Sequence, residues 1–545
     1  PAKGIHSLSH SMDKPTTDPT KEHVRIARAA GVVGFATFLS RIFGFLRDMV
    51  VAGFFGAGIA TDAFFVAFRI PNLLRRLLAE GALTIAFVPV FTEYLKTRPK
   101  KDALAFAGIA FTLLSIVLVA VTLAGILLSP WIVRLIAPGF TEVAGQYDLA
   151  VFLTRLMFPY IFFVSLVALA MGILNSLRHF AAPALAPVAL NLSMIFSVFF
   201  LARFFREPIV ALAVGVLAGG FLQLVMQIPF LLKFGIPLRP DFHFRHPGVR
   251  KVGLLMLPAV FGAAVYQINI FVGTLLASLL PSGSVSYLYY ADRIVELPLG
   301  IFGIAVGTAV LPSLSAHAAD GAFDELRKTV SFSTRLILFV TLPATVALVL
   351  LRVPIISVLF QRGEFDLSST LATADALLYY TLGLWAFSVI RVVVSAFYSL
   401  QDTKTPVKVA FLAFLVNVAV SVALMFPMKH SGLALATSVS TAVNVGVLAI
   451  ILKKRIGPFF DAPFYRSLLR MSLAALAMGA VIVLWGAVAP WDLSGRIAGR
   501  LFHLAGAVVL GGVSFFVFAH LFRCDEMIFL VKNVKRKLGR TGGGA

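Results

Sequence analysis

The chain has 545 residues, of which 59% are hydrophobic and only 13% are charged, and its mean hydropathy is +0.94. About 25% of the residues in a soluble domain are charged, so this composition excludes a soluble protein and is typical of an integral membrane protein. The formal net charge is +22, but the basic residues lie in short connections between apolar segments, which excludes a nucleic-acid-binding surface. The single cysteine, Cys524, excludes a disulfide framework and a thiolate metal site.

The N-terminal residues precede the first apolar segment. Residues 1–11 come before Met12 and are predicted to be a cloning remnant. Residues 12–23 are polar, so no cleavable secretory signal is predicted, and the chain up to position 27 is predicted to form a cytoplasmic tail.

Apolar segments follow along almost the whole chain, each long enough to cross a hydrocarbon core of about 30 Å as a tilted helix. The sequence therefore predicts an all-α polytopic membrane protein with about 14 transmembrane helices. In chain order, the predicted spans are 28–54, 60–95, 102–137, 147–177, 183–203, 209–233, 249–280, 285–317, 324–351, 371–399, 406–428, 432–455, 464–488 and 499–533.

An internal duplication repeats short segments at a nearly fixed offset. Arg69 and Arg293 are the last residues of two similar tripeptides. The segments 130–139 and 354–363 are also similar, and the same number of residues separates them. Two further pairs of segments, which end at Pro89 and Pro312 and at Pro183 and Pro406, have almost the same offset. The chain is therefore predicted to contain two tandem units of six spans each. Because six is even, the copies run in the same direction and form two side-by-side lobes, a parallel repeat.

This repeat divides the chain into an N-lobe (28–233) and a C-lobe (249–455). The connection at 234–248 is basic and contains three prolines. It suits a cytoplasmic linker between two bodies that move relative to each other, although an ordinary loop explains it equally well. Outside the repeat, 456–533 is predicted to hold two extra helices, and 534–545 a basic cytoplasmic tail.

Lysine and arginine are concentrated in alternate connections, whereas the connections at 56–60, 138–148 and 281–284 contain neither residue. The positive-inside rule therefore predicts that both termini are cytoplasmic. The basic connections hold Lys96, Arg98, Lys100, Lys101, Arg239, Arg245, Arg250, Lys251, Lys453, Lys454, Arg455, Lys532, Lys535, Arg536 and Lys537.

Charged residues also occur inside segments that are otherwise apolar enough to cross a membrane. Placing Arg or Asp at the centre of a spanning helix costs roughly 2.5–3.5 kcal/mol, so such residues are expected to face a polar cavity. On the first span, Arg41, Arg47 and Asp48 share one broad face that has Gly44 between the two arginines. The second span carries Asp62, Arg69, Asn72, Arg75, Arg76 and Glu80, and the eighth carries Arg293 and Glu296.

Two structural explanations compete with a cavity. An arginine near the end of a spanning helix can extend its charged head to the interface, and Arg335, Arg352 and Arg391 fit this explanation better. Opposite charges can also form ion pairs that hold a bundle together, in which case Asp48 and Glu296 neutralise neighbouring arginines.

The sign of the charged set indicates the kind of ligand. Arginines outnumber acids, and the planar guanidinium matches phosphate oxygens in a bidentate geometry. A cavity lined in this way is predicted to bind an anion, a phosphate or diphosphate. A proton or sodium pump is instead expected to have intramembrane carboxylates without a cationic excess.

Several segments resemble the MurJ (MviN) family of bacterial lipid II flippases. The resemblance is carried by the run from Ser40 to Asp48, by Thr61-Asp62 and by the segment from Pro71 to Pro89. It continues in the segment from Gly283 to Pro298 and in the run from Phe397 to Pro406. The match extends from about Ala30 through the last span.

This resemblance implies a fold and a function. The fold would be that of the multidrug/oligosaccharidyl-lipid/polysaccharide (MOP) exporter superfamily. The chain would be a transporter rather than an enzyme, and it would move lipid II, the undecaprenyl-diphosphate-linked muramyl-pentapeptide disaccharide, across the bacterial inner membrane. In the family, the residues that match Arg41, Arg47, Arg75 and Arg293 line the central cavity, with the match of Asp48 beside them. The last two helices form a groove for the lipid tail.

The resemblance also bears on ions and partners. Some family members have a sodium site in the second lobe; Asn417, Thr437 and Thr441 have suitable side chains, whereas Gln267 supplies no carboxylate. No other cofactor is expected. Expected partners are lipid II, membrane lipids and proteins of cell-wall synthesis or division. An exporter of another lipid-linked oligosaccharide or of small-molecule drugs is the alternative, and a drug or cation exporter would favour acidic and aromatic cavity residues.

Overall fold

The structure, a computed structural model, describes residues 19–75, 83–237, 239–300, 304–493, 495–529 and 531–532. The predicted cloning remnant (1–11) and the predicted basic tail (534–545) lie outside these ranges. Over the described ranges the chain forms helices and no strand, as predicted for an all-α protein. The α-helices are α1 (Pro19–Phe55), α2 (Ile59–Leu74), α3 (Thr84–Thr97), α4 (Lys100–Ile136), α5 (Gln146–Met157), α6 (Tyr160–Ser176), α7 (Ala181–Leu201), α8 (Val210–Val225), α9 (Ile228–Lys233), α10 (Pro247–Ser278), α11 (Ser284–Pro298), α12 (Ile304–Ala319), α13 (Phe323–Phe360), α14 (Leu367–Leu382), α15 (Leu384–Ser399), α16 (Lys404–Ile456), α17 (Ala462–Val488) and α18 (Ile497–Leu521).

Nine helical segments in the described part of the chain are long and apolar enough to cross a membrane, so the protein is a multi-pass membrane protein. The count of fourteen spans stays a prediction, because several predicted spans are not single uniform helices. Span 4 falls on α5 and α6, and span 10 falls on α14 and α15. Residues 76–82 of span 2 and 301–303 of span 8 lie outside the described ranges. Spans 11 and 12 both lie in α16, whose backbone leaves helical geometry at Lys429.

Proline and the repeat explain much of this segmentation. Pro159 separates α5 from α6, where its ring nitrogen has no hydrogen to donate. The ends of corresponding helices in the two lobes are separated by the same number of residues as the duplicated sequence segments. Thus α6 and α15 begin at Tyr160 and Leu384, and α4 and α13 end at Ile136 and Phe360, with the same separation in both pairs. The helices of the predicted N-lobe pack mainly among themselves, as do those of the C-lobe except α10, which packs against α3 and α4 as well as α16.

The two lobes meet closely at one end of the molecule, the end predicted to be periplasmic. The Glu364 amide donates to the Gly53 carbonyl (3.0 Å). Gly139 lies so near Ser278 that a Cβ at position 139 would overlap the Ser278 carbonyl oxygen. At the opposite end, Lys251 Nζ forms an exposed ion pair with Glu93 Oε2 (2.6 Å).

The predicted interlobe linker is attached to the N-lobe. Pro237 packs against Gly108 of α4, and the Asp241 amide donates to Thr112 Oγ1 (2.9 Å). The His246 ring stacks on Phe106, with centroids 5.3 Å apart. These contacts hold the linker against the N-lobe along most of its length.

The two C-terminal helices pack against each other and against α13. Their junction contains a buried carboxylate, because Glu526 is only 1% exposed. Ser467 Oγ of α17 donates to Glu526 Oε2 (2.7 Å), and Arg335 Nη1 of α13 lies 3.4 Å from Glu526 Oε1. This cluster ties the chain after α18 to both α17 and the C-lobe.

Candidate functional site

Arg47 and Asp48 form the centre of the polar region on α1. The Arg47 guanidinium donates to Asp48 Oδ1 through Nε (3.1 Å) and Nη2 (2.7 Å). Both side chains are largely buried, with 12% and 4% of their surface exposed. A buried charge is stable only when it is paired and hydrogen-bonded, and this adjacent pair meets that condition within one turn of helix.

The C-lobe supplies the other half of this region from α11. Arg293 Nε lies 3.8 Å from Asp48 Oδ2, and Arg293 Nη1 pairs with Glu296 Oε2 (2.6 Å). The Arg293 guanidinium also lies over the Tyr289 ring, 4.8 Å from its centroid. Arginines from both lobes therefore share the carboxylate of Asp48.

Two residues in this network were not predicted from the sequence. The Tyr289 hydroxyl lies 3.1 Å from Arg47 Nη2 and 3.1 Å from Asp48 Oδ1. Asn191 of α7 accepts from Arg47 Nη1 (3.0 Å) and donates to the Ser40 carbonyl (3.3 Å). The sequence contains a signal for each residue. Tyr289 lies one helical turn before Arg293, and Asn191 is a polar amide in an apolar span.

The network explains how the positive charges of Arg47 and Arg293 are stabilised inside the protein. Each cation has at least one carboxylate partner, and the guanidinium groups lie where the two lobes face each other. Arg293 Nε is buried and has no hydrogen-bond acceptor among the described residues. A phosphate group entering between the lobes could take the place of the carboxylates, because arginine binds both through the same planar set of N–H groups.

The remaining predicted cavity residues lie around this centre. Arg41 is exposed, and its Nη1 would be 2.6 Å from a Cβ at Gly300, so its guanidinium crosses to the C-lobe beside a glycine. Arg75 Nε donates to Asn72 Oδ1 (3.2 Å), one turn earlier on the same helix. The predicted residues Arg76 and Glu80 lie outside the described residues.

Asp62 and Arg69 lie at the contact between the lobes, where the sequence predicted cavity-lining residues. Asp62 is 2% exposed. Its carboxylate accepts from the Gly283 amide (2.6 Å), the Ser286 amide (2.8 Å) and Ser286 Oγ (2.6 Å). Arg69 donates to Thr274 Oγ1 of α10. Both side chains therefore fasten α2 to the C-lobe in this conformation.

The predicted sodium ligands lie together in the C-lobe. Asn417 Nδ2 lies 3.2 Å from Ser440 Oγ and 3.5 Å from Thr437 Oγ1. The Thr437 and Thr441 hydroxyls donate to carbonyls of their own helix. No group of three or more His, Cys, Asp or Glu suited to a metal occurs in the described ranges. The side chains of this cluster are neutral, and sodium binding there stays a prediction.

Two helical lobes that are related by a repeat and enclose a polar centre define a transporter with the MOP exporter fold. A solved structure whose description is the inward-facing conformation of a multidrug resistance MATE family transporter of the MOP superfamily has a TM-score of 0.64. It covers 79% of this chain and 99% of its own, and at 16% identity it shows the fold alone.

The chain belongs to the MurJ family. The family model described as lipid II flippase MurJ matches residues 51–494. A solved structure of lipid II flippase MurJ in an inward closed conformation has a TM-score of 0.75 at 27% identity, and it covers 90% of this chain and 99% of its own. The family is one of transporters, so this protein is a transporter and not an enzyme.

Two curated relatives agree with this assignment. A Vibrio cholerae serotype O1 protein named probable lipid II flippase MurJ is 38% identical over 499 residues, covering 90% of this chain and 95% of that protein. A Burkholderia cenocepacia protein named lipid II flippase MurJ is 37% identical over 501 residues, covering 90% of this chain and 96% of that protein.

Proposed function

We propose that the protein translocates lipid II from the cytoplasmic to the periplasmic leaflet of the bacterial inner membrane, with both termini in the cytoplasm. The observation that carries the proposal is the sharing of Asp48 by Arg47 of the N-lobe and Arg293 of the C-lobe. A diphosphate bound at this place contacts both lobes at once. Its arrival and departure can therefore be coupled to their relative motion.

In this mechanism the headgroup enters the cavity from the cytoplasmic side while the polyprenyl tail stays in lipid. Arg47 and Arg293 exchange carboxylate for diphosphate oxygens, and Asp48 and Glu296 accept the arginines again when the headgroup leaves. The exchange keeps the charges paired in both states, which avoids the large cost of an unpaired buried charge. The bonds of Asp62 and Arg69 to the C-lobe must break when the cavity opens to the periplasm.

The decisive experiment is leaflet translocation of lipid II by the purified protein in proteoliposomes. We expect translocation by the unaltered protein and a loss of at least about tenfold in Arg47→Ala and Arg293→Ala, because each change removes charge-assisted hydrogen bonds. Arg203→Ala is the matched control, since Arg203 lies at an outer connection over the Phe204 ring. Translocation that is unaffected by either cavity change would contradict the site, and no translocation under any imposed potential would contradict the function.

A further inference from the structure

Gly300 lies on the C-lobe segment that carries Arg293, and the Arg41 guanidinium of the N-lobe lies against it. A Cβ at position 300 would be 2.6 Å from Arg41 Nη1, 3.1 Å from Nη2 and 3.2 Å from Cζ. Three atoms of the guanidinium group therefore occupy the space that the side chain of any other residue would enter. Arg41 can keep this position only because residue 300 has no side chain.

The backbone at position 300 does not itself require glycine. Glycine is favoured where φ is positive, as at Gly283 (φ 94), and Gly300 does not have such a φ. The preceding residue, Leu299, has right-handed helical geometry, and alanine is favoured over glycine in a helix. The room that Arg41 takes is therefore the reason for a glycine that the structure supports.

Arg41 and Gly300 lie on the side of the arginine network from which the headgroup is expected to enter. Arg41 comes six residues before Arg47 on α1, which is about 9 Å of helix rise. Gly300 comes seven residues after Arg293, and α11 is predicted to cross the membrane in the opposite direction to α1. Both displacements are therefore toward the end predicted to be cytoplasmic.

Arg41 differs from the other two arginines in its exposure and its partners. Arg47 and Arg293 each have a carboxylate partner, whereas Arg41 is exposed and has none among the residues that the structure describes. A guanidinium that is not shared with a carboxylate has its N–H donors available for phosphate oxygens. A phosphate that enters from the cytoplasmic side would meet Arg41 before it meets the paired arginines.

We propose that Gly300 is a positioning residue for Arg41. It lets the guanidinium reach from α1 to the C-lobe, where it adds a third cation for the diphosphate beside Arg47 and Arg293. The identity of this ligand rests on the proposed function. A side chain at position 300 would push the guanidinium away. Because the displaced atoms are the end of a flexible side chain, the substitution should change the site and spare the fold.

The test measures lipid binding by the purified protein in nanodiscs, with undecaprenyl diphosphate and undecaprenyl phosphate as probes. We expect Gly300→Ala to weaken binding of the diphosphate by about tenfold, which is the effect of losing one charge-assisted hydrogen bond. Binding of the monophosphate should weaken less, because it has fewer oxygens for a third arginine. Gly446→Ala is the matched control, since Gly446 is an exposed helical glycine where an added Cβ meets nothing within 4 Å.

A double-mutant cycle with Arg41→Ala shows whether Gly300 acts through this arginine. Once residue 41 is alanine, Gly300→Ala should have no further effect on binding of the diphosphate. Unaltered diphosphate binding by the Gly300→Ala protein would overturn the proposal. So would a loss of equal size with and without Arg41, or an equal loss for the two lipids, because a general structural defect would act in that way.

Thermal unfolding without lipid gives a second readout that does not depend on the proposed function. Alanine at position 300 should raise the midpoint of unfolding more in an Arg41→Ala protein than in one that keeps Arg41, because only the latter must move a guanidinium. Equal shifts in the two proteins would overturn the positioning role. If the unaltered protein binds neither lipid, the proposed function is contradicted, and this thermal cycle alone decides whether Gly300 positions Arg41.

Discussion

Tyr289 connects the two lobes through a single side chain. Its hydroxyl contacts Arg47 and Asp48, and its ring stacks on Phe65, with centroids 3.9 Å apart. Phe65 and Tyr289 are separated by the same offset as Arg69 and Arg293, so equivalent positions of the two lobes touch each other here. Phe65 has no hydroxyl, so the two positions are not chemically equivalent. The Tyr289 hydroxyl gives the C-lobe a direct hydrogen bond to the Arg47–Asp48 ion pair on α1.

We predict that Tyr289→Phe lowers the initial rate of lipid II translocation by about 3- to 10-fold. The change keeps the ring but removes a hydrogen bond to the ion pair, which is worth about 0.5–1.5 kcal/mol. Tyr398→Phe, at a 47% exposed position, is the control and should leave the rate unaltered. A Tyr289→Phe protein with the full rate would show that the hydroxyl has no part in holding Arg47.

Asp62 provides the second residue-scale prediction. The Gly283 and Ser286 amides donate to different oxygens of the carboxylate. An asparagine has one acceptor oxygen, so its amide hydrogens would face one of these two N–H groups and leave it without an acceptor. We expect Asp62→Asn to favour separation of the lobes at this end by about tenfold or more, since hydrogen bonds to charged groups are worth about 1.5–3 kcal/mol.

This separation can be measured by thiol labelling. Ser284→Cys places a reporter at a position that is 2% exposed, in a background where Cys524 is replaced by serine. A membrane-impermeant reagent should label the reporter faster in the Asp62→Asn protein. The control is Asp148→Asn, a change at an exposed position at the same end, which should not alter the labelling rate. Equal labelling of the reporter protein alone, with Asp62→Asn and with Asp148→Asn would show that Asp62 does not hold the lobes together.

At the scale of elements, the hydrophobic pattern and the repeat predicted where most helices lie, because the length of an apolar segment and the bilayer thickness constrain each other. The division of span 4 between α5 and α6 was not predicted, since Pro159 was not recognised as the point where that span divides. The burial of Asp62 was also missed. Hydropathy places a charge on a span, but only the packing of the lobes decides whether it meets a cavity or another helix.

The charged residues of the candidate site could be predicted from hydropathy, but their partners on other helices could not. Arginines inside apolar spans mark a polar region whatever the fold, so Arg47, Asp48, Arg293 and Glu296 could be chosen from the sequence. Asn191 joins Arg47 only because α7 packs on α1, across 144 positions of the chain. Partners that depend on such long-range packing cannot be assigned from local spacing.

The attachment of α17 and α18 provides an element-scale prediction. Replacing Glu526 with glutamine leaves Arg335, which is 17% exposed, with the exposed carboxylate of Asp525 at 3.8 Å in place of its buried partner. Breaking a buried ion pair costs up to about 3–5 kcal/mol. We therefore expect Glu526→Gln to lower the midpoint of thermal unfolding clearly. Glu325→Gln breaks the exposed ion pair with Lys328 and should have little effect, because such pairs are worth about 0–1 kcal/mol.

A double-mutant cycle separates this ion pair from general loss of packing. Arg335→Met combined with Glu526→Gln should be less destabilised than the sum of the two single changes, because neither charge is then left unpaired. Additive losses would mean that Arg335 and Glu526 do not interact across α13 and the end of α18.

At the scale of the whole molecule, the lobes are closed at one end by Asp62, Arg69 and the glycine contacts, and they share charges at the centre through Asp48. Closure at the predicted periplasmic end is the arrangement in which a headgroup would load from the cytoplasm. The cycle then needs a source of free energy to favour outward release.

Membrane potential can supply that free energy if the substrate carries its charge outward. Moving about two net negative charges outward under an inside-negative potential of about 100 mV contributes about 4–5 kcal/mol in the productive direction. We therefore predict that a potassium diffusion potential, negative inside, accelerates outward translocation in proteoliposomes, and that the opposite polarity slows it, in sodium-free buffer. Arg293→Lys keeps the charge of the site and should retain the voltage response at a lower rate. A rate that follows a sodium gradient and ignores the potential would instead assign the driving force to the Asn417 and Thr437 region.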